Sequence, residues 1–376
     1  MPKTLPSALI AALLAGAALA GCNGRSKLQT VADLGDRQVT GVTVSAEGRI
    51  FVCFPRWDRN HDLSVAEVLD DGRLRPYPNE QWNHWDTDED PRDRFVCVQS
   101  VYADTSLPGS PLWILDPASP LMEGVVTNGP KLVQVDLATN RVIRTIRFDA
   151  EIAPPGSYLN DVRVDNQRGF AYITDSGLGA LVVVNLNNQR CRRVLEDHPS
   201  TQADTQVTPV VGGRTLHATD GTIPQIHADG LALSRDGEYV YFQPLTSRTL
   251  YRIAAAGLRN FSLPDSLLNE SVETLGPSFV CDGMIADARD ALYLTALEHN
   301  AILRRRTDST VETVVADEAL AWPDSLAISP EGDLYVTVSQ IHLSARFSDG
   351  RNRRTQPYRL YRIPAAAVPW PAPAEE

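Results

Sequence analysis

The chain lacks most of the marks of redox, metal-thiolate or nucleic-acid chemistry. Its 376 residues include 5 cysteines, 3 methionines and 7 histidines. No two cysteines stand in a Cys-x-x-Cys frame, which excludes a redox dithiol and a thiolate zinc site. There is no His-Glu-x-x-His pair, no Walker loop and no dinucleotide fingerprint, and Gly109-Ser110 and Gly156-Ser157 lack the frame of a nucleophile elbow. Lysine and arginine number 35 against 47 acids, a net charge of −12, and no basic run is long enough to follow phosphates. Nucleic acid is therefore not an expected partner. Beyond the first 21 residues nothing is apolar enough to span a bilayer, and no long amphipathic helical pattern occurs.

Repetition takes the place of these motifs. Thr40-Gly-Val-Thr-Val…Ile-Phe51, Asp161-Val-Arg-Val…Ala-Tyr172, Asp229-Gly-Leu-Ala-Leu…Val-Tyr241, Asp282-Gly-Met-Ile-Ala…Leu-Tyr293 and Asp324-Ser-Leu-Ala-Ile…Leu-Tyr335 share one template. Each is a polar residue, a short alternating strand, a turn, and a second strand carrying an aromatic. Gln99-Ser-Val-Tyr-Ala…Leu-Trp113 is a sixth copy with a Pro/Gly insertion. No unit buries its own apolar face, so the units must pack on each other. Six of them closing into a ring predict an all-β, six-bladed β-propeller, which leaves only short, protected sheet edges. The repeat aromatics Tyr172, Tyr241, Tyr293 and Tyr335 are expected to pack between blades.

The N-terminus reads as an export signal. Lys3 precedes an Ala/Leu-rich run from Leu5 to Ala20, and Leu19-Ala-Gly-Cys22 resembles the bacterial lipobox. Residues 1–21 are then a lipoprotein signal peptide, Cys22 is the lipidation site, and 22–32 form a tether. The propeller is expected over 33–364 and an unstructured Pro/Ala-rich tail over 365–376. Acyl chains on Cys22 would hold the chain to a membrane, so it is expected to be exported, in a bacterial envelope on the periplasmic side or outside the cell, and monomeric. Export also places Cys53, Cys97, Cys191 and Cys281 where disulfides persist. Cys53 and Cys97, in the similar runs Phe-Val-Cys-Phe and Phe-Val-Cys-Val, are read either as a disulfide or as buried free thiols.

Two loops interrupt the pattern. Residues 55–94 hold Trp57, Trp82, Trp85 and Asp86-Thr-Asp-Glu-Asp90, whose Asp-x-Asp-x-Asp frame has Pro91 where a calcium loop needs glycine. This reads as a solvated acidic loop. Residues 200–225, flanked by His198 and His227, fit no metal motif. Asp265–Val272 has helical composition.

Because the innermost strand of each blade lines a propeller's channel, the template's first residues should converge at its mouth. Asn160, Asp161, Asp229, Asp282 and Asp324 are the expected group. Crowded carboxylates raise one another's pKa values unless a cation intervenes. The group could therefore supply a general base (Asp229 or Asp282), bind an organic amine, or hold Ca²⁺. Asp-Gly and Asn-Asp are also ordinary turn residues, so a purely structural role stays open for each acid. Asp165, Asp236 and Asp333 belong to hairpin turns. Tyr158, Phe242 with Gln243-Pro244, and Trp322-Pro323 are the aromatic and apolar neighbours expected at the same end. They would suit an aromatic ligand through stacking and cation–π contact.

Several segments, in order, resemble the major royal jelly protein/Yellow family, whose bacterial members are termed L-dopachrome tautomerase-related. They are Phe51-Val-Cys-Phe-Pro-Arg-Trp57, Leu74-Arg-Pro-Tyr-Pro78, Leu112-Trp-Ile-Leu-Asp116, Gly129-Pro-Lys-Leu-Val-Gln-Val-Asp-Leu137, Ala171-Tyr-Ile-Thr-Asp-Ser176, Tyr241-Phe-Gln-Pro-Leu-Thr-Ser247 and Ala321-Trp-Pro-Asp324. The resemblance spans roughly 33–364. It implies a six-bladed propeller and activities ranging from dopachrome tautomerisation through amine binding to structural roles. It is more distantly similar to senescence marker protein and the gluconolactonases, which are metal-dependent lactone hydrolases. That relation implies Asn160, Asp229 and Asp282 as calcium ligands, but the first-blade glutamate of those enzymes is replaced here by Thr40-Gly41. The expected ligand is a small aromatic or cyclic polar molecule. Lactone hydrolysis and a non-catalytic binding or scaffold role are the alternatives.

Overall fold

Strands of three to seven residues rich in Val, Ile and Tyr, cut by Gly, Asp and Asn turns, bury both faces only by stacking sheet on sheet. The computed structural model describes residues 28–369. The expected signal peptide 1–21, the expected lipidation site Cys22 and the end of the tail lie outside the described residues. Six four-stranded antiparallel sheets follow in chain order. The first consists of Val42–Val44, Ile50–Cys53, Val65–Val68 and Leu74–Pro76. The inner strands of the next five are Ser100–Ala103, Leu159–Asp165, Ala228–Leu233, Cys281–Ala286 and Pro323–Ile328. Each inner strand touches the next, and the sixth touches the first. The architecture is the six-bladed propeller. Among the described residues no helix is long and apolar enough to cross a membrane.

The ring is closed by the start of the chain. Gln29–Gly35 is the outermost strand of the sixth blade, antiparallel to Tyr358–Ile363. This corrects the expected tether of 22–32: the strand begins at Gln29, because the sixth blade has only three strands of its own. The tail boundary moves too. Ala367 is buried and its N–H donates to the Gly332 carbonyl, while the Tyr293 hydroxyl donates to the Ala366 carbonyl. The chain therefore stays packed past 365, held by the apolar surface of blades five and six.

The cores lie between blades. Tyr172 and Tyr293 are fully buried, and Tyr241 and Tyr335 nearly so, each in an inter-blade cluster. One ionic anchor is as buried as these rings. Lys131 Nζ lies 2.9 Å from Asp116, both side chains wholly inaccessible. Lys131 also donates to the carbonyls of Gly129 and Pro91, and Asp116 accepts the N–H groups of Val96, Cys97 and Ala118. The pair fastens the 91–97 segment to the second blade. The Asp86–Asp90 run is exposed, as read from the sequence, and Asp265–Glu270 is helical.

Cys53 and Cys97 are free, buried thiols rather than a disulfide. Cys53 is in a second strand, with its thiol on the Gln99 carbonyl at 3.2 Å. Cys97 precedes an inner strand and packs with Trp85 and Ala118. The two similar runs thus fall on different elements. Burial pushes both thiols up to about 12, which leaves them protonated and unreactive.

A feature of the inner strands shapes the channel. Pairing with the second strand shifts register between Leu159 and Val162, Ala228 and Gly230, Cys281 and Met284, and Pro323 and Leu326. These bulges fall on the template acids and re-aim their side chains, as bulges do. A threonine two residues after the repeat aromatic satisfies the freed backbone. Thr174 accepts from the Asp161 N–H, Thr295 from those of Asp282 and Gly283, and Thr337 from that of Ser325. Thr174 and Thr337 then donate onward to the carbonyls of Asp229 and Thr40 in the next blade.

Glycine after the acid is a matter of spacing. A Cβ on Gly283 would fall 2.2 Å from the Asp324 carbonyl oxygen, and one on Gly230 2.6 Å from that of Asp282. Gly283→Ala is expected to lower stability by about 1–3 kcal/mol, toward the upper end because the obstacle is backbone. The urea midpoint would read it, and an unchanged midpoint would mean the inner strands can slide apart.

Candidate functional site

Four blades deliver their template residue to one mouth of the channel, and the third delivers the residue before it, Asn160. Gln99, Asn160, Asp229, Asp282 and Asp324 line a cavity of about 340 Å³, walled by Trp57, Tyr158, Trp322 and Phe347. The sixth, Thr40, is turned away and donates to the Gln99 carbonyl.

The acids hold one another in a proton-bearing arrangement. Asp229 and Asp282 lie side by side in the cavity lining, close enough for each to shift the other's titration. The Asn160 amide donates to Asp229 Oδ1 at 2.6 Å, and the Trp322 indole N–H to Asp282 Oδ2 at 2.6 Å. Burial, and then the charges of Asp282, Asp161 and Asp324, holds Asp229 well above the usual carboxylate range. Burial raises Asp282 to about 7, against the pull of the Trp322 donor. Asp324 is likewise raised well above its ordinary value by burial and by Asp282. Its Oδ1 meets the Ser325 hydroxyl at 3.4 Å. Oδ2 is buried and makes no hydrogen bond among the described residues, and the Ser339 hydroxyl, whose proximity lowers the Asp324 pKa, is likewise unpaired. A buried polar atom left unpaired at a cavity wall is costly, and a bound group would relieve it.

The walls are fixed from behind. Trp322 is fully buried, with φ +66°, a conformation that bulky residues rarely adopt and that surrounding packing must hold. It stacks on His342, rings 5.8 Å apart. Burial lowers His342 to about 4, so the ring is neutral at physiological pH. The Tyr158 hydroxyl accepts from the Trp57 indole at 2.7 Å and donates to Gln99 at 2.9 Å. Buried Asp175 accepts the Tyr158 N–H and the Ser157 hydroxyl, and is itself paired with Arg193 at 2.7 Å.

Two expected site residues fall elsewhere. Asp161 does not line the cavity. The bulge gives that place to Asn160 and sets Asp161 one level deeper, 3.4 Å from the Ser100 hydroxyl and 3.7 Å from Arg163. Burial raises its pKa as well, and when ionised its charge raises those of Asp229 and Asp282. Phe242 is core: it is fully buried between blades three and four and stacks on Tyr251 at 6.0 Å. Its neighbour Gln243 bonds the Phe279 carbonyl.

The expected calcium set, Asn160, Asp229 and Asp282, does not fit a metal shell as arranged. Asn160 and Trp322 aim N–H donors at the carboxylates, where a cation would need lone pairs. Among the described residues no three His, Cys, Asp or Glu side chains are grouped to hold a metal ion. Sequence reasoning missed Trp57, Gln99, Pro224–Ile226, Arg346 and Phe347. The first stands in the quoted Phe51–Trp57 segment and the second is the template residue of its blade, but the others lie in irregular loops with no periodic signal.

Fold and site together define a six-bladed propeller with an acid-floored, aromatic-walled cavity at one channel mouth. The chain belongs to the major royal jelly protein family, whose sequence model matches residues 109–360. Major royal jelly protein 5 of Apis mellifera is 26% identical over 222 residues, covering 55% of this chain and 34% of that protein. The match thus spans about a third of the relative's length. Among solved structures, a gluconolactonase from Xanthomonas campestris superposes with a TM-score of 0.55 at 14% identity, covering 93% of this chain and 92% of that one. A calcium-binding regucalcin from Agrobacterium tumefaciens gives 0.52 at 14% identity, covering 89% and 92%. At such identities the likeness is one of fold.

Proposed function

We propose that this chain is an exported propeller, anchored through a lipidated Cys22 at the bacterial envelope. It takes a small aromatic or cyclic polar molecule into the channel mouth and tautomerises it by proton transfer, in the manner of dopachrome conversion. The observation that carries this reading is the pair of buried carboxyls, Asp229 and Asp282, side by side under an aromatic wall and held by the Asn160 and Trp322 donors. The Trp322 donor favours the charged form of Asp282, which suits it to act as base, while burial and the neighbouring acids favour the protonated form of Asp229. Asp282 then takes a proton from a ring carbon beside an imine-like centre. The C–H electron pair moves into the conjugated ring, and Asp229 delivers its proton to a conjugated ring oxygen within reach of the same carboxyl pair. Transfer from Asp282 to Asp229 across their contact restores the starting state. One C–H bond becomes one O–H bond, with no oxidant or reductant required. A base whose pKa lies near neutrality suits this work, and such acid–base groups contribute about 10²–10⁴-fold in rate.

The test is dopachrome decay followed by its visible absorbance, with and without chelator. Turnover insensitive to chelation is expected. Aromatic-amine binding without product would leave a binding protein, and lactone hydrolysis lost on chelation would replace this reading with a metal hydrolase.

A further inference from the structure

The cavity has two electrical ends. Three carboxyls, those of Asp229, Asp282 and Asp324, lie at its floor, and Arg346 is the one basic residue in its lining. Arg346 makes no ion pair with a carboxylate among the described residues, although the chain carries a large excess of acids; Asp220 feels its charge only at a distance. Its guanidinium rests instead on the Phe347 ring, 5.3 Å from the centroid, and on the Met122 sulfur at 3.4 Å. Phe347 and Met122 are themselves cavity residues, so these contacts keep the charge at the rim. An arginine fork left open in this way is built to take a carboxylate in two parallel hydrogen bonds. At the floor, Asp324 Oδ2 is the buried oxygen without a partner. It calls for a hydrogen-bond donor or a cation from the ligand. The cavity is at the small end of the range for small-molecule sites, so one compact molecule must meet both ends.

We infer that the ligand is a zwitterion of the amino-acid-derived aromatic class, seated with its nitrogen toward Asp229, Asp282 and Asp324 and its carboxylate on Arg346. This rests on the reading proposed above and makes it narrower. An ammonium at the floor favours ionisation of the carboxyls and gains their charge, a carboxylate there finds no cation, and the rim arginine repels an ammonium, so the two ends also fix which way the molecule enters. Arg346 is then a specificity-determining residue, and a decarboxylated amine is the poorer ligand.

Matched probes that differ only in the carboxylate test this. Tryptophan and tryptamine, and L-DOPA and dopamine, would be titrated calorimetrically into the full chain at pH 7, alongside Arg346→Gln and Arg346→Lys. In the parent, the carboxylated member of each pair should bind about tenfold tighter, the scale of one charge-assisted bidentate contact. Arg346→Gln should remove the preference by weakening only the carboxylated member, and Arg346→Lys should retain part of it. Amines binding as tightly as their amino acids in the parent, or a preference that survives Arg346→Gln, would overturn the inference while leaving the proposed function standing. Absence of binding by all four probes would overturn both.

Discussion

Asp282→Asn should stop proton transfer and at the same time make the protein more stable at neutral pH. The first effect follows from its place as base. Asparagine keeps the hydrogen-bonding shape of the pair and removes the proton acceptor, so turnover should fall by about 10²–10⁴-fold. The second follows from the sign of its pKa shift. The folded value, about 7, lies above the ordinary 3.8, so between those limits the folded chain binds protons the unfolded chain has released. Stability therefore falls as pH rises from about 4 to about 7, at roughly 1.4 kcal/mol per unit at most for this group. The amide in the variant would not titrate, and the slope should flatten. Urea denaturation at pH 4.5 and pH 7.5 in parent and variant checks it. A variant less stable than the parent at pH 7.5 would show that the carboxyl is structural and that the site was misassigned.

Lys131→Met should cost about 3–5 kcal/mol, the penalty for leaving one member of a buried ion pair unpaired. Lys131 and Asp116 have no exposure, so water cannot take over the lost contacts. Asp116 would keep its three backbone donors, which soften the penalty without neutralising the charge. The 91–97 segment would lose the tie at Pro91 and should become accessible to proteolysis. Lys131→Met combined with Asp116→Asn should be less harmful than Lys131→Met alone, because the stranded charge is gone. Equal or greater loss in the double variant would place the energy in packing around the lysine stem instead.

The ring was legible because the repeat is strict in its polar residue, strand pattern and aromatic, and those three fix inner strand, turn and inter-blade core. Asn160, Asp229, Asp282 and Asp324 were legible for the same reason. Asp161 and Phe242 were not, since both depend on the direction of a single side chain. A bulge exchanges Asn160 for Asp161 at the cavity, and alternation along Tyr239–Pro244 turns Phe242 inward. The similar runs around Cys53 and Cys97 hid a difference of element, strand in one and approach to a strand in the other. Arg346 and Phe347 sit in a short 3₁₀ turn, where neither period nor composition signals proximity to the channel.

The strand Gln29–Gly35 has a consequence for biosynthesis. It leaves the ribosome well before its partner, Tyr358–Ile363, because five blades lie between them in the chain. Until that partner arrives, the strand and the three-stranded sixth blade each present an open edge, the kind of surface that pairs with other chains. The circle therefore cannot close before Tyr358–Ile363 has been made. A chain halted before Tyr358 would be a chain of blades with no clasp, and its hazard would be aggregation rather than partial activity.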